Sequence, residues 1–283
     1  MIGASSDARD FPDMPRHPRF LSAAFALVCV CACLWSSTAR AADQPATADW
    51  RSLDDAALVQ TATRLGSEGL LSRLDAGSSH LTEYELWMRR QERLSEGWND
   101  KPFVHYIKYR HNPRQVYMAW LKGGPKAGQE MIYDETRRKD AMYGHLAGLL
   151  NVMSMWTALD GHLARTNSQH SVRDIGLQSV VDILHEQQTR RKQAGVKLDP
   201  DLIEVTELGG QRVLAVTWIT PPGLPKGYAH KTRLCLDLQQ PWVRQIESWD
   251  EQGRLQERVW FERIQPARFT TQDFDPANPD YRF

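Results

Sequence analysis

One polar segment carries side chains that could perform acid–base chemistry. It runs from Leu159 to His170 between apolar segments and contains Asp160, His162 and Arg165. If the fold brings these three side chains together with His170, they supply an acid, a base and an anion-binding group. A hydrolase that uses this loop is therefore one hypothesis. The alternative is a loop that is held by its own hydrogen bonds.

The nine histidines do not form a sequence motif for metal binding. His185 lies on a predicted helix, but Thr189 stands where a zinc-protease motif has its second histidine. No acidic residue or cysteine stands at ligand spacing beside His145, His162 or His170. Gly-x-Ser-x-Gly nucleophile motifs and the glycine patterns of nucleotide-binding loops are also missing from the sequence. We therefore predict no metal and no cofactor.

A second group of residues could bind an apolar ligand. Trp87, Met118, Trp120, Met131 and Tyr133 lie on predicted strands whose two faces both carry bulky groups. A sheet that is apolar on both sides needs cover on both sides, or one face must line a pocket. The flexible thioether of methionine suits a surface that accommodates acyl chains. These five residues are our candidate pocket lining, and close-packed core is the alternative for each.

The elements that must position these side chains follow from the spacing of apolar residues. A 3.6-residue period predicts a helix after Ser52 that continues to Leu65, then a short helical piece over 67–74, and a longer helix over 172–194. A two-residue period with Gly, Pro and Asn turns predicts antiparallel strands in two meanders, one on each side of the longer helix. The predicted strands cover 84–94, 103–109, 115–121, 129–134, 142–147, 203–208, 212–220, 230–238, 241–249 and 255–265. This order predicts one α+β domain over residues 42–283.

The first 41 residues have the layout of a secretory signal peptide. A basic segment, 14–19, precedes the uncharged apolar run 20–35, and a small-x-small pattern ends at Ala41. We therefore expect cleavage and export to the periplasm. A retained membrane anchor and a lipid anchor at the cysteines of 30–33 are alternatives. After cleavage Cys235 would be the only cysteine, and the alternating segment around it predicts a buried thiol on a strand.

The charge balance argues against nucleic acid as a partner. The chain has 35 basic and 35 acidic residues. Removal of residues 1–41 would take away four arginines and three aspartates, which changes the formal charge from zero to about minus one. A protein without an excess of basic residues lacks the footprint for binding nucleic acid by counterion release.

Several segments resemble the bacterial family called domain of unknown function 1571. These are the run 84–93, the strand residues 107–110 and 113–118, the element Gly-Gln-Glu-x-x-Tyr at 128–133, and the closing segment 272–283. Members of that family are similar to periplasmic lipoprotein carriers and lipoprotein-sorting proteins. The resemblance implies a partly open antiparallel β-barrel, a half-barrel, with an N-terminal helix and a mid-chain helix covering its concave face.

Together, the leader, the apolar strands and the resemblance indicate an exported periplasmic binding protein. We expect it to hold a lipid, an acyl chain or another amphiphile in an apolar cavity without catalysis. The hydrolase hypothesis above, placed in the cell envelope, is one alternative. A protein-interaction module of an envelope assembly, using a sheet edge or the Pro-rich loop 220–228, is another.

Overall fold

The computed structural model describes residues 49–146, 153–161, 164, 168–221 and 229–283. The expected leader lies outside the described residues, as do His162, Arg165 and most of the Pro-rich loop. The described residues belong to one compact unit.

The first helix, α1, spans Asp55–Ser79 and bends at Gly66. It begins after Asp54 rather than after Ser52, because Asp54 Oδ1 accepts the backbone N–H of Ala57 at 2.8 Å. Gly66 interrupts the helix with a φ of 59°, which side chains with a Cβ rarely adopt. The two helical pieces that the sequence predicts are therefore the two halves of one bent helix.

The second helix, α2, spans Leu177–Gln193 and follows a 3-10 turn at Val172–Asp174. The sequence predicts this turn and helix as one element, but Gly176 separates them with a φ of 113°. A Cβ at Gly176 would lie 2.7 Å from the ring of Tyr109 and 2.8 Å from the hydroxyl oxygen of Tyr84. That hydroxyl oxygen accepts the backbone N–H of Leu177 at 2.8 Å, which fixes the first turn of α2 against the sheet.

Twelve strands form one antiparallel sheet among the described residues. In space the order is β7-β6-β5-β4-β3-β1-β12-β11-β10-β9-β8, and the short β2 pairs with β1. The strand bounds are β1 Glu83–Leu94, β2 Gly97–Trp98, β3 Phe103–Arg110, β4 Gln115–Trp120, β5 Glu130–Asp134, β6 Ala141–His145, β7 Met155–Ala158, β8 Leu202–Leu208, β9 Gln211–Ile219, β10 Lys231–Asp237, β11 Val243–Trp249 and β12 Leu255–Pro266.

The sheet is open, because its two outer strands, β7 and β8, do not pair with each other. The predicted α+β fold, an open antiparallel half-barrel with two helices, is therefore confirmed. Every predicted strand has a counterpart within a few residues, and the short β2 and β7 are additions that the sequence did not indicate. The two meanders join at the centre of the sheet, where β1 pairs with β12.

The helices cover one face of the sheet, here called the inner face. Alternate residues of β1, such as Tyr84, Leu86 and Met88, are buried there in the main hydrophobic core. Both helices contribute apolar side chains to the same core. These helix residues are Leu58, Ala62, Leu70, Leu71, Leu74, Leu177, Val180 and Val181.

The outer face is covered differently, by the C-terminal segment 267–283. Tyr117 of β4 and Ile132 of β5 point outward and are buried beneath Phe274. Tyr281 stacks on Tyr117 with 4.0 Å between ring centroids. The two apolar faces noted in the sequence thus have two separate covers in this part of the sheet.

Cys235 lies on β10 and is 2 % exposed. Burial raises the pKa of its thiol to about 11. The prediction of a buried thiol on a strand is confirmed.

Candidate functional sites: two clefts on the inner face

The larger cleft, here called the helix cleft, lies between the second half of α1, α2 and strands β9–β11. The space between these elements is about 900 Å³, a volume that includes solvent at the open side of the cleft. Most of its wall is apolar, with a smaller set of polar side chains. The lining consists of Ser67, Leu70, Leu71, Leu74, Val180, Ile183, Leu184, Gln187, Gln188, Arg191, Trp218, Thr220, Ala229, Thr232, Leu234, Leu236 and Ile246.

Polarity in the helix cleft changes along α2. The cleft is apolar beside Val180 and Ile183 and becomes polar toward Gln188 and Arg191. From Val180 to Arg191 the helix rises about 16 Å, at 1.5 Å per residue. An elongated molecule with an apolar body and a polar end would match this gradient.

Arg191 is a buried cation at the polar end of the helix cleft, with only 7 % of its surface exposed. Its Nε donates to the carbonyl of Lys197 at 2.8 Å, and its Nη1 donates to the carbonyl of Ile219 at 3.1 Å. Both partners are neutral, so these bonds orient the guanidinium without cancelling its charge. Within the described part of the chain, no ion pair joins Arg191 to a carboxylate.

The smaller cleft, here called the sheet cleft, lies between strands β1 and β4–β6 and the segment before α2. The space between these elements is about 500 Å³, a volume that includes solvent at the open side of the cleft. Three of the candidate pocket residues, Met118, Trp120 and Met131, are in its wall. The full lining is Arg90, Met118, Trp120, Gln129, Met131, Met142, Leu159, Ala164, Ser168, His170, Ser171, Val172 and Ile175.

The other two candidate pocket residues lie elsewhere. Trp87 is on the outer face of β1, where its ring packs against Tyr106 at 5.0 Å and beneath the guanidinium of Arg263 at 4.7 Å. Tyr133 is on the inner face but fully buried, and its hydroxyl oxygen accepts Arg173 Nε at 3.3 Å. Neither side chain belongs to the wall of the helix cleft or the sheet cleft.

Of the four polar residues in the hydrolase hypothesis, the structure describes Asp160 and His170. Asp160 is exposed in the turn after β7. His170 instead faces the sheet: its Nε2 lies 3.1 Å from Glu257 Oε1 on β12 and 4.0 Å from Glu92 Oε1 on β1. Ser168 Oγ donates to Glu92 Oε1 at 3.2 Å. His170 therefore belongs to a cluster with two carboxylates from the centre of the sheet.

Burial and nearby charges shift the pKa values of two histidines in opposite directions. Burial lowers the pKa of His170, but the hydrogen bond and charge of Glu257 outweigh burial, so its pKa is raised above the ordinary value. His105, on the inner face of β3, behaves in the opposite way. Burial, and then the positive charge of Arg90, hold the pKa of His105 well below its ordinary range, so it is neutral at pH 7.

Sequence reasoning missed both Arg191 and the two carboxylates. Arg191 is at a helical spacing from Val180, Leu184 and Gln187, so its position on the covered face of α2 was available from the sequence. Glu92 and Glu257 lie at strand ends, and their separation in the chain gives no sign that they meet His170.

Residues 81–283 match the sequence profile of DUF1571, a family described as a protein of unknown function. The chain belongs to this family. A search of curated proteins finds no match to the sequence. The family assignment confirms the resemblance seen in the strand segments and in the closing segment, and it brings no activity with it.

Solved structures with related folds are distant from this member of the family. An uncharacterized conserved protein from Thermus thermophilus is 12 % identical, with a TM-score of 0.43, over 76 % of this chain and 96 % of that one. A putative outer membrane lipoprotein-sorting protein domain from Vibrio parahaemolyticus is 10 % identical, with a TM-score of 0.36, over 76 % and 97 %. A chain of the Pseudomonas aeruginosa MucA/MucB complex is 16 % identical, with a TM-score of 0.40, over 75 % of this chain and 61 % of that one. Similarity at this level assigns no ligand.

Among the described residues, no helix combines the length and the apolar character that crossing a membrane requires.

Proposed function

We propose that this protein is an exported periplasmic binding protein that holds one amphiphile, with the acyl portion of the ligand in the helix cleft. The observation that carries the proposal is the helix cleft itself, an apolar space between two helices and the sheet that opens to solvent. Ligand pockets in proteins are typically concave, mostly apolar and supplied with a few oriented polar groups.

The driving force would be removal of the acyl chain from water. Each buried methylene contributes roughly 0.8 kcal/mol, so a chain of about twelve methylenes gains roughly 10 kcal/mol. Ordering the chain and losing its free motion reduce this gain by several kcal/mol. If this loss is about 4 kcal/mol, the remainder of about 6 kcal/mol corresponds to a Kd of tens of micromolar, and contacts to the head group would tighten it.

The polar end of the ligand would lie near Arg191. Among the described residues, the guanidinium donates to two neutral carbonyls and to no carboxylate, so its positive charge favours an anionic group. Carboxylate and phosphate head groups both meet this requirement. The gradient along α2 gives the ligand one orientation, with the acyl end beside Val180 and the head beside Arg191.

Two features of the candidate residues support binding rather than hydrolysis. Asp160 is exposed, and His170 is directed to Glu92 and Glu257 of the sheet. His170 is thus held in an ion-pair cluster beneath the sheet cleft, away from the helix cleft where the acyl chain would bind.

Displacement of a fluorescent acyl probe tests the proposal. The exported protein is purified from the periplasmic fraction of the producing bacterium, delipidated and titrated with 11-dansylaminoundecanoic acid. Ile183→Trp places a larger side chain at a half-buried position of the helix cleft. Met142→Trp makes a matched change at a half-buried position of the sheet cleft.

We expect saturable probe binding that Ile183→Trp weakens at least tenfold and that Met142→Trp leaves unchanged. Native mass spectrometry of the undelipidated protein should show a bound lipid mass. An absence of saturable binding, or equal loss in both variants, contradicts the proposal. Recovery of the protein outside the periplasm contradicts the proposed periplasmic location.

A further inference from the structure

The cluster of Glu92, His170 and Glu257 has the composition of a metal site. The three side chains come from β1, from the segment before α2 and from β12, and their nearest ligand atoms all lie within 4.8 Å of one another. We propose that they bind one divalent transition-metal ion, with zinc as the best fit. The site lies on the inner face at the polar side of the sheet cleft.

The distances suit a small ion. Zinc binds imidazole nitrogen and carboxylate oxygen at about 2.0–2.2 Å, so neighbouring ligands in a tetrahedral site are separated by roughly 3.4 Å. His170 Nε2 and Glu257 Oε1 are 3.1 Å apart, close to that separation. Glu92 Oε1, 4.0 Å from the same nitrogen, needs only a small side-chain movement to join them.

The two carboxylates need a cation between them. Glu92 and Glu257 are direct partners in the β1–β12 ladder, and they are 1 % and 6 % exposed. Like charges that face each other across a ladder are destabilising, and burial raises the cost. The side chain of Glu92 is also incompletely bonded, since its Oε2 is buried and has no hydrogen-bond partner among the described residues.

Arg90 is the competing cation. Its Nε lies 3.6 Å from Glu92 Oε2, too far for a good hydrogen bond, and this nitrogen has no hydrogen-bond partner among the described residues. Arg90 and a protonated His170 could together balance the two carboxylates without a metal. In the metal-bound state, the ion replaces the imidazole proton and Arg90 offsets part of the charge of Glu92.

The donor set favours zinc over calcium. One imidazole and two carboxylates suit zinc, whereas calcium takes six to eight oxygen ligands. His170 and Ser168 are both in the wall of the sheet cleft, so a remaining coordination position would face that cleft. This site is separate from the helix cleft, and the failure of acyl binding would leave it standing.

The test uses Zn²⁺ and Co²⁺ as the probes. Full-length protein is treated with a chelator and titrated with Zn²⁺ by calorimetry, and Co²⁺ binding is followed by its visible absorption. His170→Gln and Glu257→Gln each remove one ligand with little change in volume. His185→Gln is the matched control, since His185 Nε2 also contacts a carboxylate, Asp75 at 2.7 Å, but belongs to no three-ligand cluster among the described residues.

We expect one Zn²⁺ per chain, an affinity that falls at least 100-fold in each ligand variant, and no change in His185→Gln. Zn²⁺ should also raise the unfolding temperature of the wild-type protein but not of His170→Gln, with folding of each variant checked by circular dichroism. Zn²⁺ binding that both ligand variants retain overturns the proposal. So does wild-type protein that binds no Zn²⁺ and whose unfolding temperature Zn²⁺ does not change, because the cluster is then an ion-pair network only.

Discussion

The two clefts lie on the same face of one sheet, but their polar groups are arranged in different ways. In the helix cleft Arg191, the one cation in the wall among the described residues, donates to two carbonyls, and the wall changes from apolar to polar along α2. In the sheet cleft, Arg90 Nε and Gln129 Oε1 are buried without a hydrogen-bond partner among the described residues. The first arrangement suits an amphiphile, whereas the second suits a small polar or ionic ligand.

Gly176 lies at the junction between the two clefts. A substitution at this residue should have the largest effect on the free energy of unfolding. Segment 168–175 contributes to the sheet cleft and α2 contributes to the helix cleft. Gly176→Ala should lower the free energy of unfolding by about 3 kcal/mol, because its methyl group meets the Tyr109 ring in a strained backbone conformation. Gly195→Ala shares the positive φ but has open space around it, so it should cost about 1 kcal/mol.

Urea unfolding of both variants measures this difference. Equal losses would show that backbone strain alone, without the contact to Tyr109, determines the cost. A larger loss at Gly176 would show that the close packing of this junction on the sheet sets the position of both clefts.

Tyr84→Phe should have the next largest effect. It removes the acceptor for the buried N–H of Leu177 and should destabilise the protein by about 2 kcal/mol. Tyr106→Phe is the control, because its hydroxyl donates to Glu85 at a half-buried position and should cost about 0.5 kcal/mol. Hydrogen exchange of α2 should accelerate in the first variant only. Unchanged exchange at Leu177 would show that other contacts hold the start of α2.

Arg191→Gln distinguishes the clefts by charge. Binding of the anionic acyl probe should weaken about tenfold, equivalent to about 1.4 kcal/mol, because the cation at the polar end of the helix cleft is lost. A neutral alcohol with the same chain should bind both proteins equally, and Zn²⁺ binding should not change. Equal weakening for the acid and the alcohol would mean that Arg191 acts through the shape of the cleft rather than through charge.

The smallest expected effect on stability concerns segment 267–283, which covers the outer face of β4 and β5. Burial raises the pKa of Asp273, but hydrogen bonds from Lys108 and Thr270 and the charge of Lys108 outweigh it, so the pKa lies below its ordinary value of 3.8. The stabilisation is therefore present above pH 4 and is lost as the pH falls through the lowered pKa. Asp273→Asn should cost about 1 kcal/mol at pH 7, and the cost should decrease as the pH falls through the lowered pKa.

Proteolysis of segment 267–283 at neutral and acidic pH measures the attachment of this cover. Segment 267–283 packs on the outer face of β4 and β5, and the inner face of these strands lines the sheet cleft. Zn²⁺ binding at pH 7 is therefore the functional measurement that matches this variant. Acyl binding should not change in Asp273→Asn. A pH-independent difference between the variant and the wild type would exclude the Asp273 carboxylate as the cause.

The fold was accessible from the sequence because most strands alternate clearly and are bounded by turn residues. β7 was missed because its residues Met155–Ala158 follow a mostly apolar segment in which no two-residue period stands out. Trp87 shows a second limit. Alternation places Trp87 and Met88 on opposite faces, but it does not say which face the helices cover.

The clefts were harder to predict for a physical reason. The helix cleft forms where α1 and α2 both approach β9–β11, so its wall combines segments that are far apart in the chain. The cluster around His170 has the same origin, since its two carboxylates are brought together by the pairing of β1 with β12. Local patterns give the elements, whereas such sites depend on which elements become neighbours.

The hydroxyl of Tyr84 attaches α2 to β1, a strand in the middle of the sheet. The helix is therefore anchored away from the margins, where outer strands such as β8 have a pairing partner on one side only. Fraying at those margins would leave the anchor undisturbed. The α2 side of the helix cleft is thus held in register with the centre of the sheet, whereas the β9 side lies next to the outer strand β8.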